Sequence, residues 1–148
     1  MNSAAPIPSI PPQALAGLKV LELGQLIAGP FAGKTLADFG AEVIKIEPPA
    51  TEAAAGGDPL RQWRMLHEGT SVWWQVQSRN KKSVVLDLRT DEGRETVARL
   101  IDEADVVIEN FKPGTMEKWG LGYEQLGARN PGLVMLRISG YGQSGPYR

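Results

Sequence analysis

A chain of 148 residues is long enough to bury one sizeable core and short for more than one. Its net charge of −1 excludes a general nucleic-acid or membrane-surface binder, since both need a large positive excess. With no cysteine and a single histidine, His67, there are no disulfides, no thiolate chemistry and no metal site built on cysteines or several histidines.

Residues 1–14 carry four prolines in their first twelve positions and read as a disordered lead-in. They lack the basic end and apolar core of a secretory signal, and no apolar run approaches the ~20 residues of a membrane span. A cytoplasmic location is expected.

The first strand is expected over 18–23, "LKVLEL". It runs into "GQLIAGPFAGKTLADFG", which resembles a phosphate-binding P-loop at first sight. Only three residues separate Gly29 from Gly33, one short of that motif. Pro30 instead suits the first position of a helix, "PFAGKTLADF", that stops at Gly40. A second strand follows over 42–47, ending in Glu47-Pro48-Pro49. Residues 48–70 read as a long excursion with a helical turn at "PLRQWRMLH", in which Asp58 is a turn residue before Pro59 and His67 is partly exposed. Strands are expected at 83–88, 105–110 and 133–139. Between them Thr90 caps a helix whose stripe is Val97, Leu100, Ile101 and Ala104, and short helices fit "TMEKWG" and "YEQLGARN". Alternating apolar strands and helices predict an α/β fold, a Rossmann-like, mostly parallel sheet with flanking helices.

In such a sheet ligands bind beyond the carboxyl ends of the strands. Four segments there carry suggestive chemistry: the small residues of "GQLIAGP", the cationic "QSRNKKS", "ENFKPGTMEKWG" with an aromatic beside lysines, and the glycine-rich "SGYGQSGPYR". An aromatic ring next to lysines suits a ligand with a flat base and phosphates. No G-x-G-x-x-G follows the first strand and no G-x-S-x-G occurs, which weighs against dinucleotide and α/β-hydrolase chemistry.

Taken in order, "LKVLELGQLIAGPFAGKTLADFGAEVIKIEPP", "GDPLRQW", "NKKSVVLDL", "ADVVIENFKPGTMEKWGLGYEQL" and "ISGYGQSGPY" resemble the family III CoA-transferases over residues 15–148. That family includes formyl-CoA and carnitine CoA-transferases and the related alpha-methylacyl-CoA racemases. The resemblance implies the amino-terminal part of a large CoA-binding domain, with acyl-CoA and a carboxylic acid as substrates, no metal, and an interlocked homodimer in full-length members. Carried over position by position, it implies CoA contacts at Ile27, Ala28, Gln77, Ser78, Arg79, Asn80, Asn110, Phe111, Lys112 and Lys118. The turn Ser139, Gly140, Tyr141 and Gly142 is implied to line the coenzyme as well.

Two positions depart from the formyl-CoA transferase pattern. Pro48 stands where those enzymes have an arginine, with Lys81 or Lys82 as the expected substitute, and Ile27 stands where they have a glutamine. The aspartate that becomes acylated in these transferases falls beyond the residue matching Arg148, as do the histidine and aspartate of the racemases. The chain is therefore expected to be the CoA-binding half of a transferase, inactive in isolation. The alternatives are half of a racemase, or a non-catalytic acyl-CoA-binding fragment.

Overall fold

The computed structural model describes residues 13–148, so the expected lead-in lies outside the described residues except for its last two positions. In chain order the elements are β1 (Lys19–Glu22), α1 (Ala28–Asp38), β2 (Glu42–Glu47), a 3-10 turn (Pro59–Gln62), β3 (Leu66–His67), β4 (Thr70–Ser71) and α2 (Val72–Gln77). Then come β5 (Lys81–Val85), α3 (Asp91–Asp102), β6 (Val106–Glu109), α4 (Thr115–Lys118), α5 (Tyr123–Arg129) and β7 (Val134–Arg137).

Five of the strands form one parallel sheet in the order β5-β2-β1-β6-β7, while β3 and β4 make a small antiparallel pair. This is the doubly wound arrangement, in which strand order reverses beside β1 and the loops after β1 and β6 diverge. One face packs Val20, Val43 and Ile108 against Ala37 of α1. The opposite face packs Leu21, Leu23, Ile46 and Val107 against Val97 and Ile101 of α3 and Leu126 of α5. The central strands are therefore covered on both sides, which is why they read as continuous apolar runs.

Local chemistry sets the helix starts. Thr90 accepts a hydrogen bond from Gly93 N–H at 3.1 Å, and Asp91 and Glu92 lie in the first turn, where the helix dipole favours anions. Pro30 sits within the first turn of α1, where its missing N–H leaves no intrahelical bond unmade.

Two differences from the sequence expectation matter for function. The strand expected over 83–88 runs from Lys81 to Val85, so Leu86 to Arg89 leave the sheet as a loop. Its register pairs Lys81 with Val43, and the Lys81 side chain is buried because it finds Glu22. Just after the excursion comes α2, too short to display helical periodicity, which Ser71 caps by accepting from Trp74 N–H at 3.4 Å.

Candidate functional site: the carboxyl ends of the parallel strands

The backbone leaving β1 is gripped from several directions. Asn110, just beyond β6, accepts from Gln25 N–H at 2.7 Å and donates to Gln25 O at 2.9 Å. The chain passes so close to itself here that a Cβ on Gly24 would stand 2.8 Å from Asn110 Oδ1 and 2.9 Å from Gly29 Cα. Glycine is therefore required by contact at both positions. Leu26 adopts the left-handed conformation, φ 61°, which costs a branched side chain roughly 1–2 kcal/mol.

Beneath this turn, on the α1 side of the sheet, lies a buried ionic network. Lys45 Nζ is 2.9 Å from Glu22 Oε1 and 2.8 Å from Asp58 Oδ2, and it donates to Gly24 O at 2.6 Å. Lys81 Nζ donates to Pro30 O at 2.7 Å. It also forms an ion pair with Glu22 Oε2 at 2.6 Å. Burial pulls the Lys81 ammonium pKa down, and the Glu22 carboxylate opposes that shift. Asp58 Oδ1 accepts from Leu26 N–H at 3.0 Å and from Leu60 N–H at 2.9 Å.

Glu47 extends the network. It accepts from Asp58 N–H at 2.7 Å, from Arg61 through two bonds of 2.7 Å, and from Ser83 Oγ at 2.5 Å. Burial pushes its carboxyl up, but these donors together outweigh burial and hold it at about 2. Three carboxylates thus face three cations, as buried charge demands. Sequence reasoning missed this cluster because its members are scattered from Glu22 to Ser83 and form no motif.

Above the opposite face, a cavity of 450 Å³ opens between the loops that follow β1, β2, β5 and β6. Leu23, Ile46, Leu86, Leu88 and Phe111 make it largely apolar, while Gln25, Asp87 and Arg89 add polar edges. Its size lies within the range of roughly 300–1,000 Å³ seen for small-molecule sites. Arg89 forms two bonds of 2.9 Å to Asp87, whose carboxyl it holds at about 2. Phe111 stands edge-on to Trp119, ring centroids 5.2 Å apart, which fixes the phenyl ring at the cavity wall. Leu86 to Leu88 have no place among the contacts expected from sequence because the strand expected over 83–88 takes them up, and Arg89 falls between that strand and the Thr90 cap.

The sequence-derived residues fall into four places. Ile27, Ala28, Asn110 and Phe111 gather where the strand order reverses, although Asn110 commits its amide to the turn. Lys112 faces a second cleft, of 670 Å³, with Arg137 and Gln143 beside the loop that contains Ser139, Gly140, Tyr141 and Gly142. In that loop Ser139 Oγ donates to Gly142 O at 2.8 Å and Tyr141 is exposed. Lys118 is exposed at the end of α4.

Gln77, Ser78, Arg79 and Asn80 do not share that end of the sheet. They precede β5 at its amino end, a correction to the single shared edge expected from sequence. There Arg79 and Asn80 reach the Asp38 carboxylate at 2.7 and 3.0 Å. Arg79, then Lys34, holds that carboxyl well below the usual carboxylate range. Neither lysine offered as a substitute for the missing arginine stands near Pro48: Lys81 is buried on Glu22 and Lys82 pairs with Glu42 at 2.6 Å. Arg89 is the cation that shares the 450 Å³ cavity with Pro48.

The model of CoA-transferase family III matches residues 15–148. The chain belongs to this family. It is 58% identical over 139 residues to the succinyl-CoA–D-citramalate CoA-transferase of Chloroflexus aurantiacus, covering 93% of this chain and 33% of that protein. The succinate–glutarate CoA-transferase of Agrobacterium fabrum is 45% identical over 90% of this chain and 34% of its own length. A solved CAIB/BAIF family protein from Brucella suis superposes with a TM-score of 0.82 at 48% identity, over 91% of this chain and 35% of that one. Rv3272 from Mycobacterium tuberculosis does so with a TM-score of 0.81 at 44% identity, over 91% and 36%. The chain therefore spans about a third of the length of the relatives it matches. None of the helices among the described residues is long and apolar enough to cross a membrane.

Proposed function

We propose that this chain is the coenzyme-A-holding part of a CoA-transferase that moves CoA between carboxylic acids. The observation that carries the reading is the apolar cavity at the carboxyl ends of four parallel strands, beside the glycine-lined turn where strand order reverses. Phe111 offers a face for the adenine, and Arg89, Lys112 and Lys118 supply cations for phosphates. Ile27, Ala28 and the turn 139–142 flank the route towards the thioester. Gln77 to Asn80 lie at the far end of the sheet and would meet the coenzyme only through its outer portion.

The chemistry these residues perform is binding and orientation. Fixing the thioester against a rigid turn converts attack by a carboxylate into an effectively unimolecular step. The attacking carboxylate belongs, in this reading, to an aspartate outside the chain: it displaces CoA thiolate from the donor to form an acyl anhydride, and the thiolate then attacks the aspartyl carbonyl, which expels the donor acid and leaves an aspartyl-CoA thioester. The acceptor carboxylate attacks that thioester in turn, and the thiolate it displaces attacks the acceptor's carbonyl in the new anhydride, which regenerates the aspartate and releases the acceptor as its CoA thioester. A homodimer in which a second copy helps enclose the site, and a cytoplasmic location, complete the proposal. The names of the relatives favour transfer over racemisation and make succinyl-CoA the first donor to try.

The test is an acyl-transfer assay of the full-length protein with succinyl-CoA and a panel of carboxylates. Transfer is expected, and Phe111→Ala is expected to raise the KM for the acyl-CoA about tenfold, equivalent to ~1.4 kcal/mol of lost stacking. Hydrolysis or racemisation without transfer overturns the reading.

A further inference from the structure

The buried network does more than neutralise charge, because two of its three cations and one of its carboxylates end on the backbone of the same turn. Lys45 holds Gly24 O, Asp58 holds Leu26 N–H, and Lys81 holds Pro30 O. Asp58 is 1% exposed and Lys45 1%, so neither side chain can itself touch a ligand. Leu26, by contrast, is 41% exposed and strained at φ 61°. A left-handed leucine does not persist in a mobile turn, since relaxing to ordinary φ would relieve it. Something must hold it, and the bond to Asp58 is the hold that acts on Leu26 itself.

We propose that Asp58 is a positioning residue, set in place by Lys45, that locks the exit of β1 in the strained conformation needed to present its backbone to the reacting thioester. The inference rests on the CoA-transferase reading of the same site. Asp58 acts through Leu26 N–H and makes no contact with substrate. Its removal therefore affects the step that needs alignment at the thioester, while the base and phosphates stay gripped by Phe111 and the exposed cations. The signature is a fall in kcat at constant KM, as expected for an interaction realised only in the transition state.

Two charge-balanced double variants of the full-length protein separate positioning from folding. K45M/D58N and K45M/D58A each remove one cation and one anion, but only the first leaves an oxygen to accept from Leu26 N–H. At equal active-site concentration, kcat of the D58A pair is expected to fall at least tenfold below that of the D58N pair, with KM for acyl-CoA within twofold. Equal kcat values overturn the inference, even if the D58A pair melts lower.

A second comparison leaves the core untouched. Leu26→Val disfavours positive φ far more than Leu26→Gly, and both changes are at an exposed position. At least a tenfold lower kcat for valine than for glycine supports the lock, and equal rates refute it. Calorimetric titration of the unaltered protein with CoA distinguishes the two levels. Absent binding overturns the transferase reading and this inference with it, whereas binding with equal kcat values overturns this inference alone.

Discussion

Gly33 stands in the middle of α1, where replacing glycine by alanine ordinarily gains about 1 kcal/mol of helix propensity. Here the added Cβ would run into Glu22 Oε2, a carboxylate held by Lys45 and Lys81 in the buried network. Gly33→Ala is therefore expected to destabilise the fold by about 2–3 kcal/mol in urea denaturation, because overpacking against a buried ion pair outweighs propensity. A gain in stability would show that Glu22 can turn aside. The same residue explains the P-loop resemblance. The glycine spacing that mimics a phosphate cradle in sequence serves in the fold to let a helix pass over a buried carboxylate. Lys34 and Thr35, the rest of that resemblance, lie within the helix. Lys34 pairs with Asp38 at 3.1 Å, and Thr35 Oγ1 donates to Phe31 O at 2.9 Å.

Among the elements, α3 is tied to its cap. Thr90→Ala is expected to cost ~1 kcal/mol in thermal or urea melts, while Thr90→Ser should cost little. The strand end at Glu47 governs acid sensitivity. Its carboxyl is held at about 2 in the folded chain against an ordinary 4.5, so the stabilisation is fully present above pH 4.5 and is lost as pH falls towards 2. Glu47→Gln is expected to flatten the melting temperature across that window. An unchanged acid limb would mean that Arg61 and Ser83 do not favour the charged form. How far these elements were legible depends on where their order comes from. The strand at 42–47 and the Thr90 cap are written in local apolar runs and capping residues, and both were read within a residue. Strand β5 was misread because apolar character favours Ser83 to Leu88, whereas its start is fixed by Lys81 finding Glu22, nearly sixty residues earlier in the chain. That shift hid the loop 86–89, and with it part of the cavity.

At the scale of the whole molecule, doubly wound topology places the β1 and β6 exits side by side, and the ordered motifs revealed that family and fold without any structure. What the sequence did not carry is which residues converge. Asn110, expected at the ligand, clasps Gln25, while Asp58, expected and found at the turn before Pro59, also anchors a charged core. Both outcomes depend on contacts across tens of residues, for which local pattern has no signal. Of the residues singled out at the strand exits, Phe111 walls the cavity and Lys112 faces the neighbouring cleft.

The central claim is that this sheet end holds coenzyme A, and calorimetric titration of the full-length protein with CoA tests it most directly. Saturable binding is expected, weakened by added salt, by Lys112→Ala and by Lys118→Ala through loss of phosphate contacts, and by Phe111→Ala through loss of stacking. The absence of binding, or binding indifferent to all three substitutions, would contradict it.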